Sequence, residues 1–280
     1  MTPTTNKQEV GSVTFMSYIS TGISSVKCKF ISDICDEYDV DYLAVKNTKT
    51  TDKYFRDNFR DYNSYVIPGY RPPGQDTGRS KAGMAQLSRK SYSVKKDSVK
   101  THGYRIQAQV LNLPSGKLLW LNTYMPTDPQ RITEYDDSVL REVLLEVETL
   151  LTSCTFTDVI WAGDLNWDMK RVTQFSRTMA AFVDRLGLAS LWSQHPVNYT
   201  YMHTDHKSVS VIDHFMLSPR LLSLVEDCGV VQRGDNLSGH SPIWVKLRLG
   251  TLPVKQGAAA WVPNKPAWSK ATQGNIATEL

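Results

Sequence analysis

Cysteine is scarce in this chain, long apolar runs are missing and net charge is slight, and each shortage removes a class of protein. The 4 cysteines among 280 residues, Cys28, Cys35, Cys154 and Cys228, form no CxxC pair. They are too few and too scattered to frame a disulfide-stapled domain, so reduced thiols in an intracellular protein are expected. No stretch reaches the roughly 18 consecutive apolar residues that a membrane-spanning helix takes. The opening MTPTTNKQEV lacks the apolar centre of a secretory signal. A soluble chain, nuclear or cytoplasmic and without a membrane partner, is the reading. The 32 Lys and Arg against 28 Asp and Glu leave +4, an excess that permits a polyanionic partner without demanding one. Internal repeats and extended low-complexity segments are absent as well.

What is present points to one large α/β domain. At 41% hydrophobic the chain can close a sizeable core. Residues 12–18 read as a strand. SSVKCKFISDICDEY reads as a helix with Val26, Phe30, Ile34 and Tyr38 on one stripe and Ser24 or Ser25 as cap, and 40–45 as a second strand. A short helix (TDKYFRDNF) and a strand (YNSYVIP) precede RPPGQDTGRSKAG at 71–83, a surface loop by its Gly, Pro and charge. MAQLS, YRIQAQVLN and KLLWLNTY follow as strands, the last two forming a hairpin through LPSG. A helix over roughly 132–152, with Val139, Leu140, Val143, Leu144, Val147 and Leu150 inward, leads into the strand TDVIWAG. The helix FSRTMAAFVDRL, stopped by Gly187, and strands SVIDHFML and PIWVKLRL complete the pattern. Such interleaving implies a four-layer α/β/β/α sandwich, helices outside and loops gathered at one edge. The domain spans 12–249 behind a flexible 1–11; residues 250–280 read as a linker that ends in the start of a helix near Gln273.

Polar residues stand where strands end: Tyr124 in NTYMPTD, Asp164 and Asn166 in GDLN, Thr200 in YTY, Asp213 in SVIDH and His240 in SGHSPI. His203 and His206 in HTDH are spaced like metal ligands but lack evident further partners, so zinc is not assigned. In their order, GDLN, SxID at Ser210 to Asp213 and S-x-H-S-P at Ser238 to Pro242 resemble the signatures of the endonuclease/exonuclease/phosphatase superfamily, with its deoxyribonuclease I-like fold. More narrowly, residues 12–249 are similar to the apurinic-type endonuclease domain of non-LTR retrotransposons. The tail containing KPAWSKAT resembles the linker that leads such proteins on towards a reverse transcriptase.

The resemblance implies a DNA partner, Mg2+ as cofactor, and a nick that leaves a 3′-hydroxyl. Hydrolysing a phosphodiester requires a base for the water, donors for the negative phosphorus centre and a neutralised leaving oxygen. Asp164 would be the base. Asn166, two residues on along an extended chain, would project to the same face and hold the water or a phosphate oxygen. Gly163 would let the backbone approach the phosphate. His240 would donate to a non-bridging oxygen, oriented and kept charged by Asp213. Tyr124 and Thr200 would add hydroxyl donors, with Ser238 a further substrate-binding candidate.

The likeness breaks at the metal. Where the family has an asparagine closing the first strand this chain has Ile19, and where it has Gln-Glu after the second strand either Lys46 and Asn47 stand in that place or a few residues have been lost there. Gly239 replaces the aspartate before the histidine. Asn47 is the one oxygen ligand left as a metal candidate, and Lys46 beside it would repel the ion. Losing metal assistance, worth several kcal/mol, implies turnover depressed by roughly three orders of magnitude or more. A non-catalytic DNA-binding module is the alternative, with Arg71, Arg79, Lys81, Arg89, Lys90, Lys95 and Lys96 holding phosphates. A phosphatase of the same fold, acting on a lipid or nucleotide, is a third reading that fold alone leaves standing.

Overall fold

A computed structural model describes residues 11–70, 82–90, 100–113, 116–128, 137–204 and 207–250. The loop expected from 71 onward, His206, the basic residues Arg71, Arg79, Lys81, Lys95 and Lys96, and the tail from 251 lie outside the described residues.

Strands and helices are labelled in chain order. The first sheet runs β13 (Val225–Val230), β14 (Ile243–Arg248), β1 (Ser12–Ile19), β2 (Tyr42–Lys46), β4 (Met84–Arg89), β3 (Tyr62–Ile67). The second runs β5 (Lys100–His102), β6 (Ile106–Leu113), β7 (Gly116–Tyr124), β8 (Asp158–Asp164), β12 (Asp213–Leu217), β9 (Ala189–Ser190). A short ribbon pairs β10 (Tyr201–Met202) with β11 (Val209–Ser210). The helices are α1 (Ser25–Glu37), α2 (Asp52–Asn58), α3 (Ser138–Ser153), α4 (Gln174–Arg185) and the single turn α5 (Pro219–Leu222).

Side-chain alternation sorts the strands into layers. Val13 and Phe15 of β1, Tyr42 and Ala44 of β2, Trp120 of β7, Ile160 and Ala162 of β8, and Phe215 of β12 meet between the sheets. The intervening residues Met16, Tyr18, Leu43 and Val45 face Phe30, Ile31 and Ile34 of α1 and Phe55 of α2. On the far side, Val159 and Trp161 of β8 pack on Leu144 and Val147 of α3 and Met179 and Phe182 of α4. The result is the expected α/β/β/α sandwich, with both faces of each sheet covered.

Each sheet holds one parallel pair, β1 with β2 and β7 with β8, and β1 and β2 pack across onto β8. The four strands of these pairs end at Ile19, Lys46, Tyr124 and Asp164. β12 is antiparallel to β8 and opens with Asp213 opposite Asp164; β14 is antiparallel to β1 and opens beside Ser17. Antiparallel neighbours therefore deliver their first residues to the edge where the parallel strands deliver their last. Carboxyl ends of parallel strands are where open α/β sheets bind ligands.

Two helical stripes needed correction. Val26 and Val139, both expected inside, are 62% and 47% exposed in the first turns of α1 and α3. In α1 Phe30 and Ile34 are buried as expected, together with Cys28, Ile31 and Cys35. Ser24 is the cap, its hydroxyl accepting from the Lys27 amide. All four cysteines are free thiols. The strand expected over SVIDHFML is broken into β11 and β12, because the Thr200 hydroxyl accepts the amides of Ile212 and Asp213, each at 3.0 Å. Thr200→Val keeps the shape and leaves two buried amides unsatisfied, so it should cost about 2–4 kcal/mol in denaturant unfolding. A change below 0.5 kcal/mol, by the ±0.5 usual of surface sites, would mean that these bonds do not hold the break.

Candidate active site

Asp164 closes β8, 2% exposed, its Oδ1 accepting the Asn166 amide at 3.0 Å. The preceding glycine is required by β7: a Cβ on Gly163 would sit 2.1 Å from the Thr123 carbonyl oxygen. The close approach that this glycine allows within the fold is to the neighbouring strand. Asp213 pairs with Asp164 in register, and its Oδ2 accepts from His240 Nδ1 at 2.9 Å. Its carbonyl accepts from Trp192 Nε1 at 2.9 Å, which anchors the start of β12. His240 Nε2 lies 4.0 Å from Asp164 Oδ2, so the imidazole bridges two carboxylates. Ligand atoms of Asp164, Asp213 and His240 all lie within 4.8 Å of one another.

Tyr124 is the register partner of Asp164 on β7. The guanidinium of Arg105 lies over its ring at 5.6 Å and donates to its carbonyl at 3.0 Å. Burial, and then the charge of Asp164, hold the phenol above its ordinary pKa, so it stays a hydrogen-bond donor. Arg105 escaped the sequence reading, as did Tyr201, whose ring sits 4.6 Å from that of His240. Neither carries a local motif.

Three sequence-selected residues take supporting positions. Asn166 has φ 49°, so the chain is no longer extended there and the same-face reasoning lapses; its amide donates to the Met125 carbonyl at 2.9 Å. Thr200, fully buried, spends its hydroxyl oxygen on the amides at the start of β12, behind Asp213. The Ser238 hydroxyl donates to the Ile19 carbonyl at 2.7 Å and accepts the His240 amide at 3.2 Å, fastening the histidine loop to the end of β1. Asn47 follows β2 in a left-handed turn, φ 53°, its carbonyl accepting the Gly22 amide at 2.6 Å. The residue that β2 directs between the sheets, in phase with Tyr42 and Ala44, is Lys46.

Lys46 is wholly buried, and its ammonium donates to the Ser17 hydroxyl. Burial pushes its pKa down to about 8, a fall limited by the charges of Asp213 and Asp164, so the ammonium persists at neutral pH. Burial, reinforced by Asp213, pushes Asp164 up to about 7, against the opposing pull of His240, the Asn166 amide and Lys46. For His240 the largest influence, burial, disfavours the charged ring. The charge and hydrogen bond of Asp213, with Asp164 behind them, outweigh it and leave the histidine above its ordinary value.

The donor set does not fit a divalent ion, although three of its groups lie close enough to share one. Asp213 is already bonded to His240, Ile19 offers hydrocarbon, and the charges of both carboxylates act on the buried ammonium of Lys46. A hard dication wants charged oxygens around it and is repelled by a neighbouring cation. At Gly239 the loss of a ligand is built into the backbone: a Cβ there would meet the Met202 carbonyl oxygen at 2.8 Å and the Tyr201 ring at 3.0 Å.

No protein-family model matches the chain, nor does any curated protein sequence. Solved structures do. An AP endonuclease from Leishmania major is 18% identical at a TM-score of 0.64, over 85% of this chain and 88% of that one. A 3′ phosphatase from Neisseria, bound to a product DNA hairpin, is 15% identical at 0.63, over 84% and 99%. The endonuclease domain of TRAS1, a telomere-specific non-LTR retrotransposon, is 12% identical at 0.63, over 85% and 99%.

Proposed function

We propose, from the premise that this chain has the deoxyribonuclease I-like fold of the endonuclease/exonuclease/phosphatase superfamily, that it is a retrotransposon-type endonuclease domain. It spans 12–249, with 250–280 as a linker towards a reverse transcriptase, and its site engages a DNA phosphodiester. The observation that carries this is the meeting of Asp164, Asp213 and His240 from three separate segments within 4.8 Å. Asp164 accepts the proton of the attacking water, whose oxygen bonds to phosphorus as the bond to the leaving O3′ breaks, and O3′ takes a proton from bulk water to become the 3′-hydroxyl. His240, held by Asp213, donates to a non-bridging oxygen, and the Tyr124 hydroxyl adds a second donor. The names of the fold relatives, AP endonuclease and retrotransposon endonuclease among them, support DNA as the polymer.

Turnover is depressed by the loss of metal assistance, roughly 10³-fold by the magnitude such assistance supplies. The buried ammonium of Lys46 favours a second reading, a DNA-binding module without turnover. Supercoiled-plasmid nicking and duplex binding separate them. Under the first, slow nicking rises as pH climbs through about 7, where Asp164 loses its proton, and disappears in Asp164→Asn. Under the second, salt-dependent binding persists with no nicking. Absence of duplex binding at low salt, or nicking untouched by Asp164→Asn, would refute the assignment of the site.

A further inference from the structure

The proposed chemistry gives the buried Lys46 no part. Buried lysines are rare, and an unpaired ammonium in a protein interior is costly enough that the group usually gives up its proton. Here the chain keeps one at 0% exposure, at the end of β2, where alternation aims it between the sheets. Its nearest partner, Ser17 of β1, is neutral; the negative charges acting on it belong to Asp213 and Asp164. One imidazole bridges these two carboxylates at 2.9 and 4.0 Å, and β2, which carries the ammonium at its end, packs across onto β8, which ends in Asp164. With the histidine protonated and both carboxylates ionised the set is neutral. The polar lining continues inward: the amide of Asn122, two residues before Tyr124 on the same face of β7, is buried with no hydrogen-bond partner among the described residues.

We infer that the Lys46 ammonium is the resident counter-cation of this site, taking the charge-balancing place of a divalent ion, so that the domain engages DNA phosphate without bound metal. Being fully buried, Lys46 touches no substrate. It is a positioning residue that acts through Asp164 and Asp213, holding two carboxylates close together by neutralising their repulsion. A dication added to this neutral set would bring two further charges and, among the described residues, find no third carboxylate in the cluster. The inference rests on the reading of the site as phosphodiester-directed, and its metal arms stand apart from that reading.

The full chain is titrated with Mn2+ while free ion is followed by electron paramagnetic resonance. Thermal unfolding is compared in EDTA and in millimolar Mg2+. Duplex binding is measured in both at matched ionic strength, since added salt weakens phosphate contacts generally. The wild-type protein should take up no Mn2+, keep the same Tm with and without Mg2+, and bind duplex equally in EDTA. Lys46→Glu, which turns the resident cation into a third carboxylate, should unfold earlier in EDTA, take up Mn2+ one-to-one and gain several degrees of Tm from Mg2+. A lysine with a merely structural role would not convert a metal-silent protein into a metal-binding one. Should Lys46→Glu not fold, Lys46→Met removes the charge at similar length and should still show Mn2+ uptake that the wild type lacks. Mn2+ uptake or Mg2+ stabilisation of the wild type overturns the inference, as does duplex binding lost in EDTA, or a Lys46→Met variant as silent as the wild type. Failure to bind duplex with or without metal refutes the phosphodiester reading instead, and leaves the Mn2+ result to decide on Lys46.

Discussion

Trp120→Ala lowers the stability of this domain by about 4 kcal/mol, the middle of the range for removing a large aromatic from a core. Trp120 sits on β7 at 1% exposure, its ring 4.7 Å from that of Phe15 on β1, which stacks in turn on Tyr42 of β2 at 5.0 Å. Three rings from both sheets thus form the centre of the layer between them. Backbone hydrogen bonds hold each sheet in plane, so neither can sag into the void left by alanine, and the cavity term stays large. Denaturant titration should show a lower midpoint with an unchanged slope, the signature of a stability loss without a change in exposed surface. A loss below about 1.5 kcal/mol, the size of an Ile to Val change, would mean that the sheets are not packed through this ring.

Gly163→Ala should have the largest effect on the site itself. The new methyl would lie 2.1 Å from the Thr123 carbonyl oxygen, and that oxygen belongs to the backbone of β7, the parallel partner of β8. No rotamer change relieves such a contact; the strands must part at the point where Tyr124 and Asp164 are paired. Overpacking of this kind costs about 1–3 kcal/mol, at times more. The functional loss should exceed the stability loss, because a displacement of about 1 Å in a catalytic group costs on the order of 10²-fold. Thermal unfolding followed by plasmid nicking and duplex binding at a temperature where the variant is folded separates the two. A variant with wild-type Tm and wild-type duplex behaviour would show that the close approach of β7 to β8 is not maintained.

The fates of particular residues show what could be read from the chain. Alternating and fully apolar runs such as VIWAG and KLLWLNTY carry their own period, so the helices and long strands, and the sandwich they imply, followed from local pattern. The polar and bulged edge strand β13, paired only with β14, has no such pattern and was missed. GDLN, SVID and SGHSP were visible as polar residues at strand ends, and Asp164, Asp213 and His240 do converge. The duties of Asn166, Thr200 and Gly163 were not visible, because each is set by a distant partner: the Met125 carbonyl, the amides opening β12 and the Thr123 carbonyl.

Lys46 marks the boundary most sharply. Read along the chain, it was a charge beside Asn47 that would drive a metal away. Lys46 closes β2 one residue beyond the strand expected from the sequence, and the layer opposite was not legible, since Asp164 and Asp213 lie 118 and 167 residues further along the chain and face β2 only when the two sheets are laid together. Local chemistry thus decided which residues could act and which elements carried them. Packing decided which charges share the same dry space, because electrostatic partnership depends on distance and burial, and neither is a property of sequence neighbours.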